Sequence, residues 1–460
     1  MLRIVLVSVF LALGITAQAE TRVPASQTEI ALGFAPLVKQ TAPAVVNIYA
    51  KRVVEVRSSP FMDDPFFQNL FRDFGQTRPQ VQNSLGSGVI LTEDGIVVTN
   101  YHVVGMATDI RVVLNDRREF SANVLLADQD SDLAILKMDG ADAMPFLQLR
   151  DSDTVEVGEL VLAIGNPFGV GQTVSSGIVS GLARSGVATG NAQGYFIQTD
   201  APINPGNSGG ALVDVNGALI GVNTSILTRS GGSNGIGFAI PSSLVAEFVK
   251  QAHAGETRFQ RPWAGMFGQP VDVDIAESIG LTVPGGIVIS NLHDVSPFAR
   301  AGFRPGDVIL EVDGLPVNTP AEMVFRMSVA GLGATADITG LMDGEMRTVA
   351  VDLVPAPDDP PRQTLTTSRK AAIPGLVLSR INPAVLSEYG LPLSAEGVVV
   401  EDPGQIGARA GLRRGDVILG VGERPTATPK DVEAALRDAR RTVSLMVQRG
   451  TQRVVMRFRI

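Results

Sequence analysis

The sequence predicts a mainly β protein: a domain of many short strands, closed as a barrel or sandwich, followed by two copies of a smaller module. Three observations predict it. Glycine (49) and proline (28) are abundant among 460 residues, as tight turns require. Short apolar runs alternate with turn signals between residues 45 and 223. The segment Ala301-Gly302-Phe303-Arg304-Pro305-Gly306-Asp307-Val308-Ile309-Leu310 returns as Ala410-Gly411-Leu412-Arg413-Arg414-Gly415-Asp416-Val417-Ile418-Leu419, which marks two homologous units.

Residues 1–19 have the form of a cleaved secretory signal. Arg3 supplies the positive start, 4–15 the apolar stretch, and Ala17-Gln18-Ala19 the cleavage site, so Glu20 begins the mature chain. The stretch is short for a bilayer span, and no later segment is long and apolar enough to be one. No stable membrane span is therefore expected after cleavage.

Apolar residues at Ile30, Phe34, Leu37 and Val38 have helical spacing over 27–40, and Pro43 ends the run. Residues 45–56 read as a strand. Residues 57–83 carry Pro, Asp, Gln and an aromatic cluster (Phe61, Phe66, Phe67, Phe71, Phe74), and are expected to form a long insertion loop. The cluster suits either a gate over the site or an apolar subunit contact. Further strands are expected at 88–91, 96–99, 109–114, 133–137, 160–164, 211–215 and 218–223. Glu93-Asp94-Gly95 and Asn216-Gly217 are hairpin turns. Ser242 or Ser243 is expected to cap a helix through Leu244, Val245, Phe248 and Val249, ending near Gly255. The chain thus divides into a signal (1–19), a first domain (20–256) with its insertion (57–83), a first repeat (257–354), a linker (355–369) and a second repeat (370–460).

Composition narrows the function. A net charge of −9, with no basic run beyond pairs such as Arg440–Arg441, argues against nucleic acid as a partner. Cysteine is absent, which excludes disulfides, a thiol nucleophile and Cys-ligated metal. There is no Gly-x-x-x-x-Gly-Lys-Ser/Thr phosphate loop and no His-Glu-x-x-His zinc motif, so neither metal nor cofactor is expected.

Three histidines are present. His253 ends the capped helix and His293 precedes a turn, and both read as ordinary surface residues. His102 follows the 96–99 strand in Thr99-Asn100-Tyr101-His102-Val103-Val104. Apolar neighbours there would hold and partly desolvate a general base. Ser208 lies in Gly206-Asn207-Ser208-Gly209-Gly210, where glycines permit a sharp turn and close approach of substrate. The N–H groups of Gly206 and Ser208, with Asn207 as a nearby third, are candidate oxyanion donors. A Gly-x-Ser-x-Gly elbow would need a strand before the serine and a helix after it. Pro202-Ile203-Asn204-Pro205 and the 211–223 hairpin stand there instead. Of Asp128, Asp130 and Asp132, Asp132 adjoins the apolar strand and is best placed to be drawn in beside the imidazole; the other two read as turn residues.

Together with Gly235-Ile236-Gly237-Phe238-Ala239-Ile240-Pro241 and the repeat, these motifs in the order His, Asp, Ser resemble the Do-like, or HtrA, serine endopeptidases. The resemblance covers nearly the whole mature chain. It implies a chymotrypsin-like pair of six-stranded barrels with a triad of His102, Asp132 and Ser208 between them, followed by two PDZ domains. It implies a substrate pocket lined by Ile203, by Thr224, Ser225, Ile226, Leu227 and Thr228, and by Ile236. The peptide-carboxylate loop of the first PDZ domain falls on Ala264, Gly265, Met266 and Phe267. Family members are periplasmic homotrimers, or multiples of trimers, that degrade unfolded or misfolded proteins. The alternative is a chaperone or PDZ adaptor with an idle protease domain, though an idle domain would usually have lost a triad member and all three are present. Two departures stand out. Tyr101 replaces a small or amide residue before the histidine, and the second PDZ loop, Pro374-Gly375-Leu376-Val377, carries a proline with no N–H to offer.

Overall fold

The computed structural model describes residues 33–58, 76–166, 171–185, 195–204, 206–226, 235–439 and 442–459. The expected signal segment and the core of the aromatic insertion (59–75) lie outside them.

Twelve strands form two closed barrels. The first contains β1 (Val45–Ser58), β2 (Gln76–Ile90), β3 (Ile96–Thr99), β4 (Asp109–Val113), β5 (Glu119–Asp128) and β6 (Leu133–Met138), in the order β1-β2-β3-β6-β5-β4. The second contains β7 (Leu160–Gly165), β8 (Thr173–Ser185), β9 (Tyr195–Thr199), β10 (Ala211–Asp214), β11 (Leu219–Ile226) and β12 (Gly237–Pro241), in the order β10-β11-β12-β9-β8-β7.

The two-residue period of a strand explains how the barrels pack. On β3 and β6, Val97, Ala134, Leu136 and Met138 point into the first barrel. Ile96, Val98, Leu133 and Ile135 point the other way, into a core shared with Leu162, Ile164, Ala211 and Val213 of the second barrel. The opposite faces of β7 and β10, through Val161, Ala163 and Leu212, fill the second barrel. Both faces of these strands are buried, which is why they read as continuous apolar runs.

The insertion is shorter than expected. Residues 57–58 and 76–83 belong to the β1–β2 ladder, which runs from Val45↔Val89 to Ser58↔Gln76. The β-branched Thr77 and Val81 stand on the added part of the ladder and suit an extended strand.

Helix α1 (Ala35–Thr41) precedes β1, α2 (Tyr101–Val104) is one turn after β3, and α3 (Ser242–His253) closes the domain. The expected serine cap on α3 is not formed. Pro241 occupies the cap position, while Ser242 Oγ donates to the Arg150 carbonyl and Ser243 Oγ to Asp151 Oδ1. These hydroxyls tie the helix to the inter-barrel connection instead.

The repeats fold alike. The first holds β13 (Met266–Pro270), β14 (Ile287–Leu292), β15 (Val308–Val312), β16 (Leu315–Pro316), β17 (Thr335–Met342), β18 (Glu345–Asp352) and α4 (Pro320–Ala330). The second holds β19 (Leu365–Thr366), β20 (Val377–Arg380), β21 (Val398–Asp402), β22 (Val417–Val421), β23 (Arg424–Pro425), β24 (Thr442–Arg449), β25 (Gln452–Arg459) and α5 (Pro429–Asp438). The repeated Gly-Asp pair does the same work twice: Asp307 accepts from the Arg304 N–H, and Asp416 from the Arg413 N–H. Each aspartate carbonyl accepts from the neighbouring strand, Ile289 in one module and Val400 in the other.

The first repeat docks on the barrels through α4. Phe325 is buried in the inter-barrel core and stacks on Tyr195 with ring centroids 3.9 Å apart. Arg326 pairs with Asp153 and donates to the Tyr195 hydroxyl at 3.1 Å.

Candidate active site

Asp132 is the anchor of the site. It sits immediately before β6 with φ 53°, in the left-handed region that aspartate tolerates better than most side chains. Its carbonyl accepts from the Tyr101 N–H at 3.1 Å and from Asn100 Nδ2 at 3.0 Å. Its carboxylate accepts from the His102 backbone N–H at 3.0 Å. The turn α2 is therefore hung on the residue that precedes the neighbouring strand β6. The Tyr101 ring lies over Gly105, where a Cβ would come within 2.8 Å of it, so the unusual tyrosine is accommodated by a glycine four residues on.

The imidazole meets the same carboxylate. His102 Nδ1 lies 2.8 Å from Asp132 Oδ2 and 3.0 Å from Oδ1. An ionised carboxylate only accepts, so Nδ1 carries the proton, and in the neutral imidazole Nε2 is the free acceptor. Thr224 Oγ1 donates to Asp132 Oδ2 at 2.7 Å, which gives the carboxylate a third donor. The enclosure expected around His102 is only partial: its side chain is 52% exposed, because Val103 and Val104 turn inward and leave the ring at the surface.

Ser208 lies in the connection from β9 to β10. Its hydroxyl donates to the Thr224 carbonyl at 2.9 Å rather than to the His102 ring. The surrounding loop is clamped to the first barrel by Ser87 of β2, which is fully buried. The Ser87 N–H donates to the Ser208 carbonyl at 2.9 Å, and its hydroxyl donates to the Gly206 carbonyl at 2.7 Å. The hydroxyl also accepts from the Asn166 N–H at 2.8 Å, and the Ser87 carbonyl accepts from Thr99 Oγ1 at 2.7 Å. Gly209 must be glycine: its φ is 82°, and a Cβ would fall 2.1 Å from the Ser87 carbonyl oxygen.

These bonds sort the loop's amides. The Asn207 N–H donates to the Asn204 carbonyl at 3.0 Å, and the Gly209 N–H to the Asn223 carbonyl at 2.8 Å. Asn207 is thus removed from the expected oxyanion donors. Its side chain is buried and accepts from Thr173 Oγ1 at 2.7 Å, against Gly165. Among the described residues no acceptor is paired with the N–H of Gly206 or Ser208.

The expected pocket residues divide. Ile203 is 2% exposed and packs in the second barrel under Gly237, so it offers no open wall in this conformation. Ile236 is half-buried. Thr224 faces the Asp132 carboxylate instead of a pocket. The backbones of Ser225 and Ile226 belong to β11, and Leu227 and Thr228 lie outside the described residues. In the first repeat, Gly265 has φ 61°, the Ala264 carbonyl accepts from Ser296 Oγ, and Met266 and Phe267 begin β13. Sequence reasoning missed Ser87; the only available signal was a serine between two glycines on a strand.

A trypsin-like peptidase domain matches residues 86–222, and PDZ domains match 256–353 and 397–449. The chain is 37% identical over 416 residues to a probable periplasmic serine endoprotease DegP-like of Halomonas elongata, covering 87% of this chain and 86% of that one. It is 36% identical over 461 residues to the periplasmic pH-dependent serine endoprotease DegQ of Escherichia coli K12, covering 98% and 97%. It is 34% identical over 450 residues to the periplasmic serine endoprotease DegP of the same organism, covering 92% and 91%. Among solved structures, the HtrA-type protease AlgW with a decapeptide matches at 40% identity and a TM-score of 0.52, covering 71% of this chain and 99% of that one. AlgW with a tripeptide matches at 38% identity and 0.54, with coverage of 71% and 99%. With paired barrels, two PDZ domains and likeness along nearly its whole length, the chain belongs to the DegP- and DegQ-like serine endoproteases of the HtrA type.

Proposed function

We propose that the protein cleaves unfolded or misfolded exported proteins through an acyl-enzyme, with Ser208 as nucleophile, His102 as base and Asp132 as orienter. The observation that carries this reading is the pair of bonds from His102 Nδ1 to the Asp132 carboxylate at 2.8 and 3.0 Å. They leave Nε2 as the acceptor a nucleophilic hydroxyl needs. The Ser208 hydroxyl leaves the Thr224 carbonyl, passes its proton to His102 Nε2 as it attacks the scissile carbonyl, and forms the acyl-enzyme. His102 then protonates the leaving amine and later activates the hydrolytic water. The N–H groups of Gly206 and Ser208 hold the developing oxyanion. The half-buried Ile236 favours small aliphatic side chains such as Val or Ala at the cleaved position, and Ile203 backs the pocket from inside the second barrel instead of forming an open wall. The first PDZ domain binds peptide segments at Ala264–Phe267. The signal-like residues 1–19 and the periplasmic relatives support export to the periplasm, and the family resemblance supports assembly as homotrimers or multiples of them.

A β-casein digest tests the reading. Cuts should follow Val or Ala, and Ser208→Ala should lower turnover by roughly a millionfold. Retained cleavage in that variant would remove Ser208 from its role, and cuts mainly after Lys or Arg would refute the pocket. A second reading, a chaperone or adaptor with an idle protease domain, draws on the Ser208 hydroxyl being turned to Thr224 rather than to His102. A fluorophosphonate separates the two: labelling of Ser208 supports proteolysis, and absence of labelling with aggregation still suppressed supports the idle domain.

A further inference from the structure

In a PDZ domain, an extended peptide adds to the edge of one strand, and the loop before that strand captures the terminal carboxylate with backbone N–H groups. The two modules of this chain differ at that edge. In the first, β13 ends its sheet, and among the described residues no strand pairs with its outer side. In the second, the counterpart β20 is flanked on both sides, by β21 and by β19.

Strand β19 comes from the stretch expected to be the linker, 355–369. It pairs antiparallel with β20, Leu365↔Leu378 and Thr366↔Val377, and the Arg380 N–H continues the ladder to the Arg362 carbonyl at 2.6 Å. The direction is that of an added peptide whose C-terminal end meets the loop. There Thr367, 4% exposed, takes the carboxylate's place. Its carbonyl accepts from the Gly375 N–H at 3.0 Å, and its hydroxyl accepts from the Leu376 N–H at 2.9 Å. Both donors belong to the loop that would otherwise hold an anion. The chain then crosses to the opposite wall: Ser368 Oγ donates to Glu433 of α5 at 2.6 Å, and the Ala372 N–H donates to the Leu436 carbonyl at 3.0 Å. Ile373 is fully buried among Leu376, Leu378, Val432 and Leu436, where an apolar terminal side chain would sit.

We propose that the second PDZ domain is filled by its own chain: residues 364–373 occupy its groove and bar it to free peptide C-termini.

Two measurements on the full-length chain test this. In the first, the Ser208→Ala form, which spares the probe, is photo-crosslinked to a decapeptide carrying benzoylphenylalanine and ending in a Phe carboxylate. Crosslinks should fall in 264–270 and 320–330; any crosslink in 375–380 or 429–438 overturns the proposal. The second is hydrogen exchange without peptide. The Gly375 and Leu376 amides should be protected at least about a hundredfold over an unstructured chain, and exchange at the unstructured rate overturns the proposal. Thr367→Val keeps the shape and removes only the hydroxyl, so Leu376 should exchange about tenfold faster, the loss of one hydrogen bond, while Gly375 stays protected. An unchanged Leu376 rate would show that Thr367 is not its partner. Failure of the first domain to take the peptide would appear as no crosslink at 264–270, and would leave the exchange result to decide the second domain by itself.

Discussion

Thr224 donates its hydroxyl to Asp132 Oδ2 at 2.7 Å while its own carbonyl receives the Ser208 hydroxyl. One residue of the second barrel therefore touches both ends of the proposed triad. Thr224→Val removes the first contact and keeps the second. A hydrogen bond to a charged group contributes about 1.5–3 kcal/mol, so kcat on a fluorogenic peptide should fall roughly 10- to 150-fold with KM little changed. An unaltered kcat would mean that the bonds to His102 hold the carboxylate without help.

Ser87 governs the other side of the site. Ser87→Ala leaves the Gly206 carbonyl and the Asn166 N–H without their shared partner, at a cost of about 1–3 kcal/mol. The Gly206–Asn207 peptide then loses one of its two anchors. The expected outcome is a kcat lower by roughly 5- to 150-fold at similar KM, matched by weaker binding of a peptide boronate, whose adduct oxygen needs the same donors. Undiminished boronate affinity would refute a positioning role.

The docking of the first PDZ domain turns on Phe325. Phe325→Ala deletes the ring stacked on Tyr195 and opens the shared core, at a cost of about 3–5 kcal/mol. Calorimetry should then resolve the first PDZ domain as a separate transition below that of the barrels. A single transition in the variant would show that other contacts hold the domains together.

Acid should loosen the connection between the barrels. Arg150 binds Glu159 at 2.7 and 3.0 Å and Asp214, itself buried, at 3.2 Å. Burial opposes ionisation of Glu159, but the hydrogen bonds from Arg150 and from the Glu156 N–H outweigh it and hold its pKa below the ordinary 4.5. The folded state thus binds fewer protons there than the unfolded one. The stabilisation is complete above pH 4.5 and is lost as pH falls through the lower folded value. Glu159→Gln should reduce the drop in melting temperature between pH 5 and pH 3; an identical drop would place the acid sensitivity elsewhere.

The candidate triad was legible because each member announces itself locally. Ser208 sits among glycines, His102 follows an apolar strand, and Asp132 precedes one. Ser87 and Thr224 were not legible in these roles, because their meaning lies in bonds to residues 119 and 92 positions away. The strands followed the same rule. Those buried on both faces, such as β3 and β6, were read directly. Strand β5 escaped because its register shifts between Val124 and Leu126, and β8 because of two shifts and repeated Gly and Ser; each shift breaks the alternation that marks a strand. Within the expected linker, Leu365–Thr366 is too short to carry any period, and its partner β20 makes it a strand.

The clamp of Ser87 on Gly206 and Ser208 has a consequence for damaged molecules. The loop bearing the proposed nucleophile is held by its own barrel through Asn223 and Thr224 and by the opposite barrel through Ser87, so its full set of bonds exists only while the halves stay together. Parting of the halves would break these bonds before either barrel unfolds, so cleavage should be lost ahead of the barrels' own melting.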